Sequence, residues 1–186
     1  MELVDGRACG TCTVCCVTPT IDAAEFQKLP GVQCRHLSAG GECSIYETRY
    51  SVCRQYYCGW RYLGFLGEHW RPDKSGVLIN FEADKGPPDN PGVSFLIVAS
   101  PSRAFIRELA FRIAHLISGD VAVSLGVAGP PGYYSIAKAL NEELREAALS
   151  RDYARIETAI TDAVAIRRLQ PNCFTRAHPR EEGTPG

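Results

Sequence analysis

The residues of this sequence with the clearest chemical potential are its cysteines. Eight of the nine lie between positions 9 and 58, and the ninth, Cys173, stands alone near the end. Thiolates bind zinc and iron–sulfur clusters, and a C-x-x-C pair lets two sulfurs reach one ion. We therefore predict that the N-terminal cysteines are metal ligands and that Cys173 is not. The predicted ligands are Cys9, Cys12, Cys15, Cys16, Cys34, Cys43, Cys53 and Cys58.

Composition favours metal over disulfides and excludes several classes of partner. The net charge of −1 offers no basic field for nucleic acid, and the longest apolar run, residues 93–99, is too short to span a bilayer. The first ten residues lack the pattern of a secretory signal. We therefore expect a cytoplasmic protein with no nucleic-acid or membrane partner. Stable disulfides are rare in that reducing compartment.

The spacing of the first four cysteines predicts how they divide. Cys9, Cys12 and Cys15 form two overlapping C-x-x-C units, which can supply three ligands to one ion. Cys16 follows Cys15 directly, and adjacent side chains of an extended chain point to opposite sides. One of the pair is expected to serve the first centre, while the other serves a second centre or packs inward. Eight thiols suffice for two four-cysteine centres, so one or two centres are both open.

The spacing also bears on the metal. Zinc ribbons usually carry two separated C-x-x-C knuckles, whereas clustered C-x2-C-x2-C spacing is typical of ferredoxins that hold a four-iron cluster. A 4Fe-4S cluster is slightly favoured, with Zn as the alternative. Arginines in the region could offset the negative charge of either centre: Arg7, Arg35, Arg49, Arg54 and Arg61. Aromatic side chains could shield it from water: Tyr46, Tyr50, Tyr56, Tyr57, Trp60 and Tyr62.

The order of these motifs resembles the YkgJ-type cysteine-cluster family, described as a zinc- or iron-chelating domain. Its signature is C-x-x-C-x-x-C-C, then a cysteine, a C-S-I-Y element, an R-P dipeptide and two closing cysteines. All eight N-terminal cysteines, Ser44-Ile45-Tyr46 and Arg49 match it, whereas Tyr50 stands in place of the usual proline. The resemblance covers about the first third of the chain. It implies metal binding and suggests a redox or protein-modification role.

Composition divides the chain near residue 60. Residues 1–62 are predicted to be an irregular cysteine-rich metal module, residues 63–172 an α+β domain, and residues 173–186 a flexible tail. The expected fold class is α+β, with the metal module packed on a small mixed sheet that carries helices on one face. The module is poor in apolar periodicity and needs bound metal as a staple.

Hydrophobic patterning predicts the elements. Strands are expected at 76–81, 93–99 and 121–127, and a helix within residues 102–118. Two further helices are expected, one with Ile136, Leu140 and Leu144 on a face and one over residues 153–164. In the module, residues 22–29 are predicted to form a short amphipathic helix capped by Asp22. Residues 71–76 are predicted to be a surface turn near the module.

Three functions follow from these patterns. The first is a cysteine-cluster protein holding one or two thiolate centres, iron–sulfur slightly favoured, in a redox or modification-related role. The second is a structural zinc protein that presents the α+β domain to a protein partner without catalysis. The third is an open metal site with a free position for a substrate. His36, two residues after Cys34, is an alternative ligand.

Overall fold

A computed structural model describes residues 2–87, 91–166, 169 and 171–178. The strands are β1 (Ile21–Ala23), β2 (Phe26–Lys28), β3 (Val77–Glu82), β4 (Gly92–Ile97), β5 (Val123–Val127) and β6 (Ile136–Ala139). The helices are α1 (Val14–Val17), α2 (Ser51–Gln55), α3 (Gly59–Tyr62), α4 (Pro72–Ser75), α5 (Arg103–Ser118), α6 (Asn141–Ser150) and α7 (Tyr153–Ile166). Among these residues no helix is long and apolar enough to cross a membrane.

The main sheet has four strands in the order β3-β4-β5-β6. The pairs β3–β4 and β5–β6 are antiparallel, and β4–β5 is parallel. A parallel pair requires a crossover, and α5 provides it. The N-terminal segment contributes a separate hairpin, β1–β2. The fold is therefore α+β with a mixed sheet, as the sequence predicted.

The two faces of the sheet have different environments. Ile79, Phe95 and Leu125 lie in register on one face and are each at most 2% exposed. Helices α5 and α7 contact β5 and belong to the same hydrophobic core. On the opposite face, Leu78 and Leu96 line two cavities whose other walls include residues of the cysteine-rich module. The module therefore lies against this second face of the sheet.

The predicted helix over residues 22–29 is wrong, because this segment forms the β1–β2 hairpin. Phe26 and Lys28 are buried and Gln27 is exposed, which is the alternation of a strand. The carboxylate of Glu25, in the turn, accepts hydrogen bonds from the Ser51 hydroxyl and the Val52 N–H of α2. A single short helix has little stability of its own, so these contacts select the hairpin.

The helix predicted to include Ile136 begins later than expected, because residues 136–139 form the edge strand β6. The Asn141 side chain accepts a hydrogen bond from Val123 N and donates one to Val121 O, both at 2.7 Å. These bonds fix the start of α6 beside β5. Leu140 and Leu144 are buried as predicted.

The beginning of the predicted flexible tail is packed on the domain. Phe174 and Ala177 are buried, and the Ala177 N–H donates to Gly132 O at 2.8 Å. Gly132 N–H in turn donates to Pro30 O of the module at 2.8 Å. Residues 173–178 thus help to join the module to the sheet domain. Residues 179–186 of the predicted tail lie outside the described residues.

The carboxylate of Glu108 joins Trp70 to α5. Trp70 is fully buried, and its Nε1 donates to Glu108 Oε1 at 2.6 Å. His69 Nε2 lies 2.8 Å from Glu108 Oε2. Burial raises the pKa of the Glu108 carboxyl, but the hydrogen bonds from Trp70 and His69 outweigh it, so the pKa lies below its usual value.

Replacing Glu108 with glutamine is expected to remove a pH-dependent part of the stability. A lowered pKa in the folded state means that the stabilisation is present above the ordinary glutamate pKa of about 4.3 and is lost as pH falls through the folded value. Thermal melts of the wild type and Glu108→Gln should therefore differ at neutral pH and converge towards acid pH. Glu142→Gln in α6 is the control and should follow the wild type. A difference that does not change with pH would contradict the assignment.

Candidate metal centres

The eight N-terminal cysteines fall into two groups of four. The first group, set A, lines one cavity and comprises Cys9, Cys12, Cys15 and Cys58. The second group, set B, comprises Cys16, Cys34, Cys43 and Cys53. Within set B, the Cys53 thiol interacts electrostatically with the thiols of the other three. All nine cysteines of the chain are free thiols.

Set A is assembled by a tight turn and by the start of α3. The Cys12 N–H donates to Cys9 O at 2.9 Å, and Gly10 inside this turn has φ of +55°, which glycine adopts without strain. Cys15 lies on α1, directly after the turn. Cys58 is distant in the sequence, 42 residues after Cys16. It immediately precedes α3, where the Arg61 N–H donates to the Cys58 carbonyl at 2.9 Å.

Set B is assembled by backbone pairing between distant loops. The Cys34 N–H donates to Cys16 O at 3.0 Å, and Cys43 pairs with Leu37 in an isolated bridge. The Cys34 Sγ accepts from the His36 N–H at 3.4 Å. Cys53 is carried by α2. These contacts give the thiols of set B their common position.

The adjacent pair Cys15 and Cys16 belongs to different sets. Both lie on α1, where neighbouring side chains point in directions about 100° apart. The interaction between the two thiols raises the pKa of Cys15 and lowers that of Cys16. Cys15 lines the cavity of set A, whereas Cys16 interacts with Cys53 of set B. That the two thiols serve different metal centres stays a prediction.

Burial raises the pKa of three further thiols and so favours their protonated form. It raises the pKa of Cys12 to about 11, although backbone N–H groups of Val14 and Asp73 act in the opposite direction. Burial also raises the pKa values of Cys58 and Cys53. Metal ions bind thiolates, so loading either set must release protons.

Four thiols are a suitable donor set for a metal ion, but the thiols of each set are not arranged around an ion in this structure. The cavity lined by set A measures about 20 Å³, which has room for one water-sized sphere. A four-iron cluster would require the walls of this cavity to move outward. Among the described residues, no group of three or more His, Cys, Asp or Glu side chains is arranged to hold an ion as it stands. The sulfurs must therefore draw together when an ion binds.

Two of the five arginines predicted to offset the charge face thiols. Arg61 Nη1 lies 3.7 Å from Cys9 Sγ of set A. Arg49 interacts electrostatically with Cys16 and Cys53 of set B, and its guanidinium lies 3.9 Å from the centre of the Tyr46 ring. Each set thus has one arginine of its own.

The other three arginines have structural partners. Arg7 donates to the backbone carbonyls of Trp60, Leu63, Gly64 and Leu66. Arg35 donates to Tyr50 Oη at 3.1 Å, and Arg54 donates to Arg49 O. These side chains hold the loops that carry the cysteines.

The aromatic side chains that were predicted to shield a metal centre have different surroundings. Tyr56, Tyr57 and Trp60 line the cavity of set A. Tyr50 instead stacks on Phe26 with ring centres 4.7 Å apart. Tyr46 and Tyr62 lie elsewhere, against Arg49 and Phe81 respectively.

Tyr50 has the backbone conformation of the proline that it replaces in the family signature. Its φ is −52° and its ψ is 149°, and proline requires φ near about −65°. The departure from the signature therefore leaves the local turn intact. The Tyr50 hydroxyl lies 3.3 Å from His36 Nε2, so this ring nitrogen is engaged with Tyr50.

Two charged residues near the thiols were not singled out by the sequence. Lys28 is only 7% exposed and interacts electrostatically with Cys34 and Cys16. Asp73 lies against Cys12, and α4 brings it there from the segment predicted to be a surface turn. The alternation of Phe26 and Lys28 on β2 is the signal that could have revealed a buried lysine.

Cys173 lies apart from both sets. Its side chain is exposed, and its Sγ is 3.8 Å from Asn172 Oδ1. That this thiol is no ligand stays a prediction.

Comparison with known proteins gave no assignment. No family model matches the chain, and neither curated proteins nor solved structures include a significant match. The resemblance to the YkgJ-type signature therefore stays a prediction from the cysteine pattern.

Proposed function

We propose that the N-terminal part of the chain is a metal-binding module with two four-thiolate centres, centre A formed by set A and centre B formed by set B. The observation that carries this proposal is that the eight thiols form two groups of four, with the adjacent residues Cys15 and Cys16 in different groups. A single four-thiolate centre would leave four thiols without a metal, and thiols that serve for packing alone do not require two arginines beside them.

The small cavity of set A supports a single ion such as Zn²⁺ in centre A. Bound to four thiolates, such an ion supplies folding free energy and no redox chemistry. The chain's own residues orient the sulfurs, and Arg61 and Arg49 offset their charge. The module would then hold a fixed position on the sheet and present that surface to a protein partner.

Iron–sulfur binding is the second candidate, and the enclosure of set A favours it. Tyr56, Tyr57 and Trp60 surround these thiols and would limit access of water to a cluster. A redox or protein-modification role would then follow from the resemblance. With either metal we place the protein in the reducing cytoplasm, the compartment that maintains free thiols such as these.

The proposal predicts two metal equivalents that can be removed separately. Cys58→Ser should abolish centre A and leave one equivalent in centre B, whereas Cys53→Ser should do the reverse. Cys173→Ser is the control and should retain both. Anaerobic purification followed by metal analysis, acid-labile sulfide quantitation and a visible spectrum gives the stoichiometry and separates zinc from iron–sulfur. A wild-type chain that purifies and reconstitutes without bound metal would contradict the proposal.

A further inference from the structure

A buried lysine without a carboxylate partner lies beside set B. Lys28 is 7% exposed, and its ammonium group donates to the carbonyls of Val17, Leu29 and Val32 at 2.7, 3.1 and 3.0 Å. These three bonds use all of its N–H donors but supply no negative charge. None of the ion pairs within the described residues includes Lys28. Because an unpaired buried charge is costly, its counter-charge must come from another kind of group.

The thiols of set B are the groups that can supply this charge. The Lys28 ammonium group donates to the carbonyl of Val17, the residue after Cys16, at 2.7 Å, and the Cys34 N–H donates to Cys16 O at 3.0 Å. Lys28 also interacts electrostatically with Cys34 and Cys16, and more weakly with Cys15. Arg49 also interacts electrostatically with Cys16 and Cys53. Two cations therefore act on set B, and neither forms an ion pair with a carboxylate of the described residues.

Set A has a different charge environment. Arg61 contacts Cys9, but Arg71, which also lines the cavity, forms ion pairs with Asp73 at 2.7 Å and with Glu68 at 3.0 Å. The carboxylate of Asp73 lies against Cys12. Arg61, the carboxylate-paired Arg71 and the carboxylate of Asp73 therefore all act on set A.

This difference affects metal binding because loading changes the charge of each site. Four neutral thiols become four thiolates, and with a divalent ion the centre carries a charge of −2. Nearby fixed cations stabilise this dianion, and a nearby carboxylate destabilises it. The more deeply buried set A also loses more solvation when it becomes charged, since Cys58 is buried whereas every cysteine of set B is partly exposed.

We propose that Lys28 is the internal counter-cation of centre B, and that centre B therefore binds its metal before centre A. This inference rests on the proposed function and adds an order of assembly to it. Centre B would organise the loops around Cys16, and centre A would close second. Centre A is then the centre that responds to a change in metal supply.

Titration of the reduced, metal-free, full-length chain with Co²⁺ tests the order. After one equivalent, thiol alkylation followed by peptide mapping should show the cysteines of set B protected and Cys9, Cys12 and Cys58 still reactive. In a Cys58→Ser background, where only centre B can form, Lys28→Met should weaken Co²⁺ binding by roughly tenfold or more. Lys28→Arg, which keeps the charge, should restore most of the affinity, and Lys138→Met at the surface should have no effect.

Each alternative outcome has a separate meaning. Early protection of set A, or equal protection of both sets, would overturn the proposed order. Equal loss of affinity in Lys28→Met and Lys28→Arg, with unchanged circular dichroism, would show that Lys28 acts through its hydrogen bonds and not through its charge. A chain that binds no Co²⁺ at all would instead refute the proposed function, and this inference with it.

Discussion

Removing metal from the two centres is expected to unfold the chain up to about residue 57, while the sheet and the long helices stay folded. Between residues 2 and 57, all of which the structure describes, only Phe26, Lys28 and Pro30 are buried. So little buried apolar surface cannot offset the conformational entropy of more than fifty residues. Thiolate-bound zinc contributes about 10 kcal/mol or more in small metal domains, so its loss decides whether such a segment is ordered.

Hydrogen exchange measured with and without a chelator tests this expectation. Amides of α1, β1, β2 and α2 should lose protection, whereas those of β3–β5, α5 and α7 should keep it. Cys12→Ala should reproduce the part of this loss that depends on centre A, and Cys173→Ala should leave exchange unchanged. If exchange before residue 57 does not respond to chelation, metal does not hold the module.

The segment that is expected to unfold on metal removal ends before the predicted domain boundary at residue 62. Helix α3, which covers residues 59–62, belongs to the core of the sheet domain, and its Trp60 is only 2% exposed. Cys58 is therefore carried by a part of the chain that stays folded without metal. In the proposed centre A, Cys9, Cys12 and Cys15 would close onto this thiol.

Replacing Gly59 with alanine is expected to damage both the fold and centre A. A Cβ at this position would lie 2.5 Å from Ile79 Cγ2 and 2.8 Å from Ile79 Cβ, which is closer than carbon atoms can approach. Since Ile79 is 1% exposed and lies within the core, it cannot move aside freely. We expect a loss of roughly 1–3 kcal/mol in the free energy of unfolding, as for other overpacked sites.

The displaced α3 would carry Cys58 with it, so metal binding should change as well. Gly59→Ala should bind the second metal equivalent more weakly, while centre B is unaffected. Gly64→Ala is the matched control, because the nearest atom to its Cβ would be Val4 Cγ2 at 3.8 Å. Denaturant unfolding and metal titration of both variants check the two effects. Wild-type stability in Gly59→Ala would show that the contact between α3 and β3 is looser than described.

Local pattern was enough to predict much of the sheet domain. The helix α5 and the strands β3, β4 and β5 were predicted within a few residues, because each has an apolar periodicity long enough to identify its type. The hairpin β1–β2 and the strand β6 were mistaken for helical segments. Both are short, and their conformations depend on partners outside the segment itself, namely α2 for Glu25 and β5 for Ile136.

The candidate site shows the same division between local and distant information. The sequence by itself determined which residues are thiols, that Cys15 and Cys16 must point in different directions, and that the module lacks a core of its own. Only the tertiary structure decided that Cys58 joins Cys9, Cys12 and Cys15, because that grouping depends on where α3 packs against β3. It also placed Lys28 beside set B, since the burial of a side chain depends on what folds over it. Ligand chemistry is a property of the residue type, whereas the grouping and charge environment of ligands are properties of the packed chain.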